Sequence, residues 1–188
     1  MNFLILFAAV CIPWVLSEVI LLFLARSKRD NSDRDEGSIV WLNATIYTCV
    51  AIGVCTGFFG IGYVRVGGIV IPWIGLCFII IGIVIRWIAI LTLRKYFTTN
   101  VVIQSDHRII KSGIYKFVRH PSYSGSIVSF CGLGFALCNW ISLIVLVVPI
   151  TIAFAKRIKV EECALEGAFG EEYVQYRKSS WYLFPGIF

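Results

Sequence analysis

Side chains able to do chemistry are concentrated in two stretches of the sequence, and the first lies between residues 96 and 121. It contains both histidines of the chain, His107 and His120. Pro121 suits the first turn of a helix, where a missing N–H costs nothing. The free N–H groups of such a turn favour an anion, and Arg119 and His120 beside them would strengthen a carboxylate or phosphate site. The alternative interpretation is a basic membrane anchor followed by the start of a helix.

The second stretch begins after Lys156 and places charges of both signs on one predicted helix. Arg157 and Glu161 are four residues apart, so they share a face of that helix. Gly170 is suited to end the helix, and residues 171–178 predict a short amphipathic helix after it. The alternative interpretation is a solvated helix end with ion pairs between residues four apart.

The elements that position these residues are membrane helices, because the composition excludes a water-soluble domain. Apolar residues make up 59% of the 188 residues and charged residues 15%, with a mean hydropathy of +0.84. Soluble domains average roughly 45–50% and 25%, so this chain has too few polar side chains to cover a soluble surface. The sequence therefore predicts an integral, multi-pass membrane protein.

The lengths of the apolar runs predict an all-α fold with five transmembrane helices. A span needs about 20 residues, and residues 3–25, 39–63 and 69–93 each supply one. The apolar stretch 122–155 is too long for one span, and its interruption at 138–140 predicts two spans joined by a tight turn. The chain is then a polytopic bundle followed by C-terminal helices.

The distribution of basic residues predicts the orientation of this bundle. Five spans place three polar segments on one side of the membrane, and these carry 15 of the 17 Lys and Arg residues. The positive-inside rule then puts the N-terminus outside, and the C-terminus and both chemical stretches in the cytosol. One site at the membrane–cytosol boundary is expected. The net charge of +6 follows from this asymmetry and needs no nucleic-acid partner.

Two charged residues, Glu18 and Arg86, fall at membrane depth. An isolated charge there is costly, so both are expected to face the bundle or to snorkel to the interface. We interpret these two residues as a structural ion pair or as interface anchors.

The cysteines and histidines predict neither a disulfide framework nor a metal site. The seven cysteines include no C-x-x-C pair, and six lie in or beside apolar runs, where cysteine behaves as a small hydrophobe. Only two histidines are present, and neither is near a cysteine pair, which disfavours zinc.

The motif G-I-Y-K-F-V-R-H-P-S-Y-S-G, then a helical hairpin, then R-I-K-V-E-E-C-A-L-E-G-A-F-G-E-E-Y-V-Q-Y, resembles the isoprenylcysteine carboxyl methyltransferase family. His107, followed by an apolar pair, matches the family's histidine upstream of the Gly-x-Tyr element. The resemblance covers roughly residues 96–185. It divides the chain into an N-terminal three-span region, 1–95, and a methyltransferase-like region, 96–188, as in small five-span members.

The resemblance implies S-adenosylmethionine as methyl donor, bound between the R-H-P loop and the E-E helix on the cytosolic side. Tyr115, Arg119, His120, Tyr123 and Gly125 would surround its methionyl part. His107 would contribute from the loop, and Glu162 or Glu161 would reach the ribose or the amino group. Removal of Arg119 or His120 is expected to weaken cofactor binding and to leave the fold intact.

The resemblance also implies a substrate with a lipid tail and a carboxylate, such as an isoprenylated cysteine or a prenylated peptide. A carboxylate is ionised at neutral pH and needs no general base. Arg157 is the candidate to hold it as a planar fork, with Glu161 beside it at the catalytic end. The tail would enter sideways from the membrane lipids.

Three other functions share part of the pattern. A phospholipid or amine N-methyltransferase resembles the same two motifs, but an amine must lose a proton before it accepts a methyl group. A membrane reductase of the sterol reductase type would use NADPH. A small channel or assembly subunit would use the cytosolic residues only as anchors. The oligomeric state stays open.

Overall fold

The computed structural model describes residues 3–26, 36–64, 68, 70–97 and 108–186, and helices dominate throughout. Two short 3-10 helices lie at Arg94–Tyr96 and Gly113–Lys116, and the described residues contain isolated bridges but no strand. The six α-helices are α1 (Phe3–Arg26), α2 (Glu36–Phe58), α3 (Val70–Leu93), α4 (Pro121–Ala136), α5 (Trp140–Phe169) and α6 (Glu171–Ser179).

The predicted all-helical membrane class is confirmed, with one difference in span length. Helices α1, α2, α3 and α5 are each long and apolar enough to cross a membrane. Helix α4 has 16 residues, fewer than the 20 or so that a full crossing needs. A fifth complete span therefore stays a prediction. The predicted short amphipathic helix is present as α6, after Gly170 ends α5 with a positive φ of 53°.

The predicted reversal between α4 and α5 occurs at Asn139. Its side-chain oxygen accepts a hydrogen bond from the backbone N–H of Ser142 at 3.0 Å, which caps α5. Its amide nitrogen donates to the carbonyls of Ile61 at 2.6 Å and Thr56 at 3.1 Å. One polar side chain thus fixes the hairpin and joins it to the end of α2.

Helices α3 and α4 approach each other closely because glycines line their contact. A Cβ added to Gly125 would lie 2.6 Å from the carbonyl oxygen of Gly82, and one added to Gly132 would lie 2.6 Å from that of Gly75. Such distances exclude any side chain, as in other membrane helix pairs that use small residues. This glycine-lined contact holds α3 beside the first turn of α4.

An ion pair inside the bundle joins α1 to this helix pair. Arg86 donates from Nε to Glu18 Oε1 at 2.6 Å and from Nη2 to Oε2 at 2.7 Å. Its Nη1 also donates to the hydroxyls of Ser122 at 3.0 Å and Ser126 at 2.9 Å. The structural ion pair expected from the sequence is confirmed, and its carboxylate and guanidinium are multiply hydrogen-bonded.

Removing one partner of this pair should destabilise the protein more than removing both. We expect Arg86→Leu to lower the free energy of unfolding by about 3 kcal/mol, because it leaves Glu18 charged and unpaired in apolar surroundings. Glu18→Leu should act similarly, and the double variant should recover part of the loss. Thermal and denaturant unfolding in detergent measures all three.

The exposed pair of Lys111 and Glu172, at 2.9 Å, provides the control. Lys111→Ala should change the free energy of unfolding by less than about 1 kcal/mol. Equal losses for Arg86→Leu and Lys111→Ala, or strictly additive losses in the double variant, would contradict a structural role for the internal pair.

Candidate active site

The turn before α4 places His120 against α5. Pro121 occupies the first helical position of α4, as predicted, and His120 immediately precedes it. The His120 side chain is buried, and its Nε2 lies 3.0 Å from Oε1 of Glu162. The hydrogen bond joins two segments that are 42 residues apart in the sequence.

Arg119 connects the same carboxylate to the C-terminal segment. Its Nε donates to Glu162 Oε1 at 2.8 Å, and its Nη1 donates to the carbonyls of Arg177, at 3.2 Å, and Ser180. The backbone N–H of Arg119 donates to the carbonyl of Trp181 at 2.9 Å. These contacts argue against the expectation that removing Arg119 leaves the fold intact, because its side chain also holds the end of α6.

The neighbouring carboxylate, Glu161, faces a different direction. Its Oε2 accepts a hydrogen bond from the hydroxyl of Tyr123 at 3.1 Å. Arg157, one turn earlier on α5, is 3% exposed and donates from Nη1 to the hydroxyl of Ser38 on α2 at 2.6 Å. Glu161 and Arg157 therefore share the face of α5 that the four-residue spacing predicts, and this face is turned inward.

A cavity of about 260 Å³ lies between all six helices. One end is polar, and its lining includes Arg108, Tyr115, Arg119, His120, Tyr123, Arg157, Glu161, Tyr173 and Tyr176. The other end is apolar, and its lining includes Trp14, Leu42, Ile46, Phe130 and Phe154. Glu18 and Arg86, already paired with each other, lie on the wall as well. The cavity suits a molecule with one charged and one apolar part.

Tyrosines form much of the wall at the polar end. The Tyr176 hydroxyl donates to the carbonyl of Tyr115 at 2.7 Å, and burial raises the pKa of Tyr176 to about 12. Burial, together with the charges of Glu162 and Glu161, also raises the pKa of Tyr173. Both phenols are therefore protonated hydrogen-bond donors at neutral pH. The Tyr173 hydroxyl is buried and has no hydrogen-bond partner within the described residues.

The structure brings six of the nine predicted site residues to the cavity: Tyr115, Arg119, His120, Tyr123, Arg157 and Glu161. Glu162 lies beside them, with its carboxylate on Arg119 and His120. Gly125 instead contacts α3, where it allows close packing. His107 lies outside the described residues. The roles assigned to these residues stay predictions.

Sequence reasoning missed the contributions of α6 and of the first two helices. The sequence assigns Tyr173 and Tyr176, three residues apart, only to the predicted amphipathic helix 171–178, yet both line the cavity. The spacing was the available signal, because residues three apart on a short helix share a face. Trp14 and Ile46 carry no sequence signal that separates a cavity-facing side chain from a lipid-facing one.

Comparisons with known proteins agree on one family. The model of the "Isoprenylcysteine carboxyl methyltransferase (ICMT) family" matches residues 73–167, half of the chain. Protein-S-isoprenylcysteine O-methyltransferase B of Arabidopsis thaliana is 40% identical over 104 residues, 54% of this chain and 53% of that protein. Protein-S-isoprenylcysteine O-methyltransferase of Tribolium castaneum is 32% identical over 167 residues, 86% of this chain and 58% of that protein.

A solved structure shows the same similarity in three dimensions. The eukaryotic intramembrane Ras methyltransferase ICMT, solved without a monobody, superimposes with a TM-score of 0.64 at 26% identity, covering 85% of this chain and 55% of that one. The chain spans about half the length of the relatives that it matches. Helix α4, and all of α3 and α5 except the start of α3 and the end of α5, lie within the matched part.

The contacts of Arg119 predict a large effect on stability. We expect Arg119→Ala to lower the free energy of unfolding by about 3 kcal/mol. The substitution leaves two carbonyls without this donor and the mostly buried Glu162 carboxylate with only its hydrogen bond to His120. Arg177→Ala is the matched control, since the Arg177–Glu166 pair is 41% and 43% exposed and should contribute less than about 1 kcal/mol. Chemical denaturation in detergent compares them. Equal stability of Arg119→Ala and the parent protein would show that these contacts contribute nothing.

Proposed function

The chain belongs to the isoprenylcysteine carboxyl methyltransferase family, and we propose that it transfers a methyl group from S-adenosylmethionine to the carboxylate of a lipid-tailed substrate. An isoprenylated cysteine, free or at the end of a peptide, is the substrate that the family favours. The observation that carries the proposal is the single cavity with charged groups at one end and apolar side chains at the other.

The polar end has the chemistry needed to hold the proposed cofactor. S-adenosylmethionine carries a carboxylate, an ammonium and an aromatic base, and the wall offers Arg119 and His120, Glu161, and several tyrosine rings. The unpartnered, buried hydroxyl of Tyr173 supports this fit, because such a group in a native protein normally has a partner. His107 keeps its proposed place in the cofactor site, Gly125 would serve that site by letting α4 pack closely on α3, and Glu162 would act through Arg119 and His120.

The proposed catalytic end centres on Arg157 and Glu161. The cofactor supplies a methyl group already activated by its sulfonium. A carboxylate acceptor with an ordinary pKa of about 3.3–3.7 is ionised and needs no base. The protein therefore has to orient the acceptor and to exclude water. Arg157, 3% exposed and facing the cavity, would bind the acceptor carboxylate, and Glu161 with Tyr123 would position its surroundings.

The apolar end would hold the lipid tail. Helix α1 packs on α3 and helix α2 packs on α5, so α1 and α2 form facing walls of the cavity. We propose that the tail enters between them from the lipid. A substrate then keeps its tail in apolar surroundings while its carboxylate reaches the polar end.

The proposed orientation has the N-terminus outside and the C-terminus and active site in the cytosol. In a cysteine-free background, Ser179→Cys at the end of α6 should react with a membrane-impermeant maleimide only after cells are permeabilised. Phe59→Cys, in the exposed turn after α2, should react in intact cells. Labelling of both cysteines from the same side would contradict the proposed topology, in which α3 and the α4–α5 hairpin separate the two positions.

The proposed role of Arg157 predicts a loss of turnover without a loss of cofactor affinity. We expect Arg157→Ala to lower kcat for methylation of S-farnesylcysteine about a hundredfold and to change the affinity for S-adenosylhomocysteine less than threefold or so. Lys156→Ala is the matched control, because the Lys156 ammonium lies 4.4 Å from the centre of the Trp41 ring. Its turnover should stay near that of the parent protein.

The same assay separates the possible acceptors. A prenylcysteine carboxylate and a phosphatidylethanolamine amine are offered with a labelled methyl donor, and label is expected only in the carboxyl ester. Label in the amine alone would replace the carboxyl proposal with amine methylation.

A further inference from the structure

The apolar end of the cavity ends on two aromatic rings. Trp14 of α1 and Phe130 of α4 both line it, and their ring centroids are 5.5 Å apart at an angle of 57°. Trp14 is 9% exposed and Phe130 is 8% exposed, so both rings are covered on the side away from the cavity.

The space behind these rings is filled by the tightest part of the core. Trp14 and Phe130 belong to one cluster of buried apolar side chains with Ile79, Leu146 and Ile150, which are 0–1% exposed and do not line the cavity. The two rings therefore separate the cavity from the packed core. In the described part of the chain, the cavity does not continue past them.

The depth of the cavity follows from the positions of these residues on their helices. Phe130 is nine residues after Pro121 on α4, which at 1.5 Å per residue is about 13 Å below the first turn. Trp14 lies one turn below Glu18 on α1, which begins at the opposite end of the bundle from α4. A tail attached to a group bound near His120 therefore meets a floor at a fixed distance.

We infer that Trp14 determines which lipid tails this protein accepts, by closing the cavity at its apolar end. The inference rests on the proposed function and adds the residue that sets tail length. Phe130 is held on the glycine-lined α3–α4 pair, whereas Trp14 is the contribution of α1 and has the larger side chain. A tail one isoprene unit too long has to displace the indole ring or leave part of itself outside the cavity.

The test measures kcat/KM for cysteines carrying geranyl, farnesyl and geranylgeranyl tails. In Trp14→Ala, the ratio of kcat/KM for the longest tail to that for the shortest should rise roughly tenfold, because additional apolar groups then find space in the pocket. Trp14→Phe should give a smaller rise in the same direction. An unchanged ratio in Trp14→Ala would overturn the inference.

Two further variants separate this effect from a general loss of packing. Trp73 contacts Phe3 edge-on and does not line the cavity, so Trp73→Ala should leave the tail ratio at its original value. Ile46→Trp adds bulk to the apolar wall and should lower the ratio. If Trp14→Ala fails to fold, Trp14→Phe decides in its place, and an unaltered ratio in that variant overturns the inference.

A binding measurement distinguishes failure of the inference from failure of the proposed function. Thermal stabilisation by the three prenylcysteines, without methyl donor, should show the same shift of tail preference in Trp14→Ala. If no prenylcysteine is methylated but this shift occurs, closure of the cavity by Trp14 is supported and the proposed reaction is wrong. If methylation proceeds and Trp73→Ala shifts the preference as much as Trp14→Ala, the reaction stands and the assignment of Trp14 falls.

Discussion

The carboxylate of Glu162 holds together three segments that are far apart in the sequence. It accepts hydrogen bonds at 2.8 Å from Arg119 and at 3.0 Å from His120, both at the start of α4. Arg119 also donates to two carbonyls at the end of α6, those of Arg177 and Ser180. A buried ion pair stabilises a fold only when its remaining donors and acceptors are also satisfied, and here they are used to join segments. This network positions Arg119 and His120 on the polar wall of the cavity.

Much of this architecture was predictable because its signals are local. Apolar run lengths predict the ends of α1 and α3 to within one residue, but they predict an end for α2 at residue 63 whereas the helix ends at Phe58. The polar Asn139 marks the hairpin. Proline at the first position of α4 and glycine after α5 fix helix boundaries through backbone constraints that each residue carries by itself. The ion pair of Glu18 and Arg86 was predictable because charges at membrane depth have few other options.

The direction in which each site residue faces was not predictable, because it depends on how the helices are rotated. Glu161 and Glu162 are adjacent, and successive helical residues point about 100° apart. The sequence therefore could not decide that Glu161 faces Tyr123 while Glu162 faces Arg119. Gly125 sits in the same motif as His120 but faces α3, because the α3–α4 packing turns it there. Likewise, nothing in the sequence distinguishes Trp14 from a side chain that faces the lipid.

The placement of the site at one end of a membrane bundle suits the energetics of the proposed two-part substrate. Moving a lipid tail into water costs about 0.8 kcal/mol for each buried CH₂ group, so a site in water would bind such a molecule against a large penalty. A site deep in the membrane would impose a similar penalty on the carboxylate. A cavity lined by Arg157 and His120 at one end and by Leu42 and Phe154 at the other avoids both penalties. The Glu18–Arg86 pair lies on its wall as a charge already neutralised within the protein, which keeps that wall compatible with the tail.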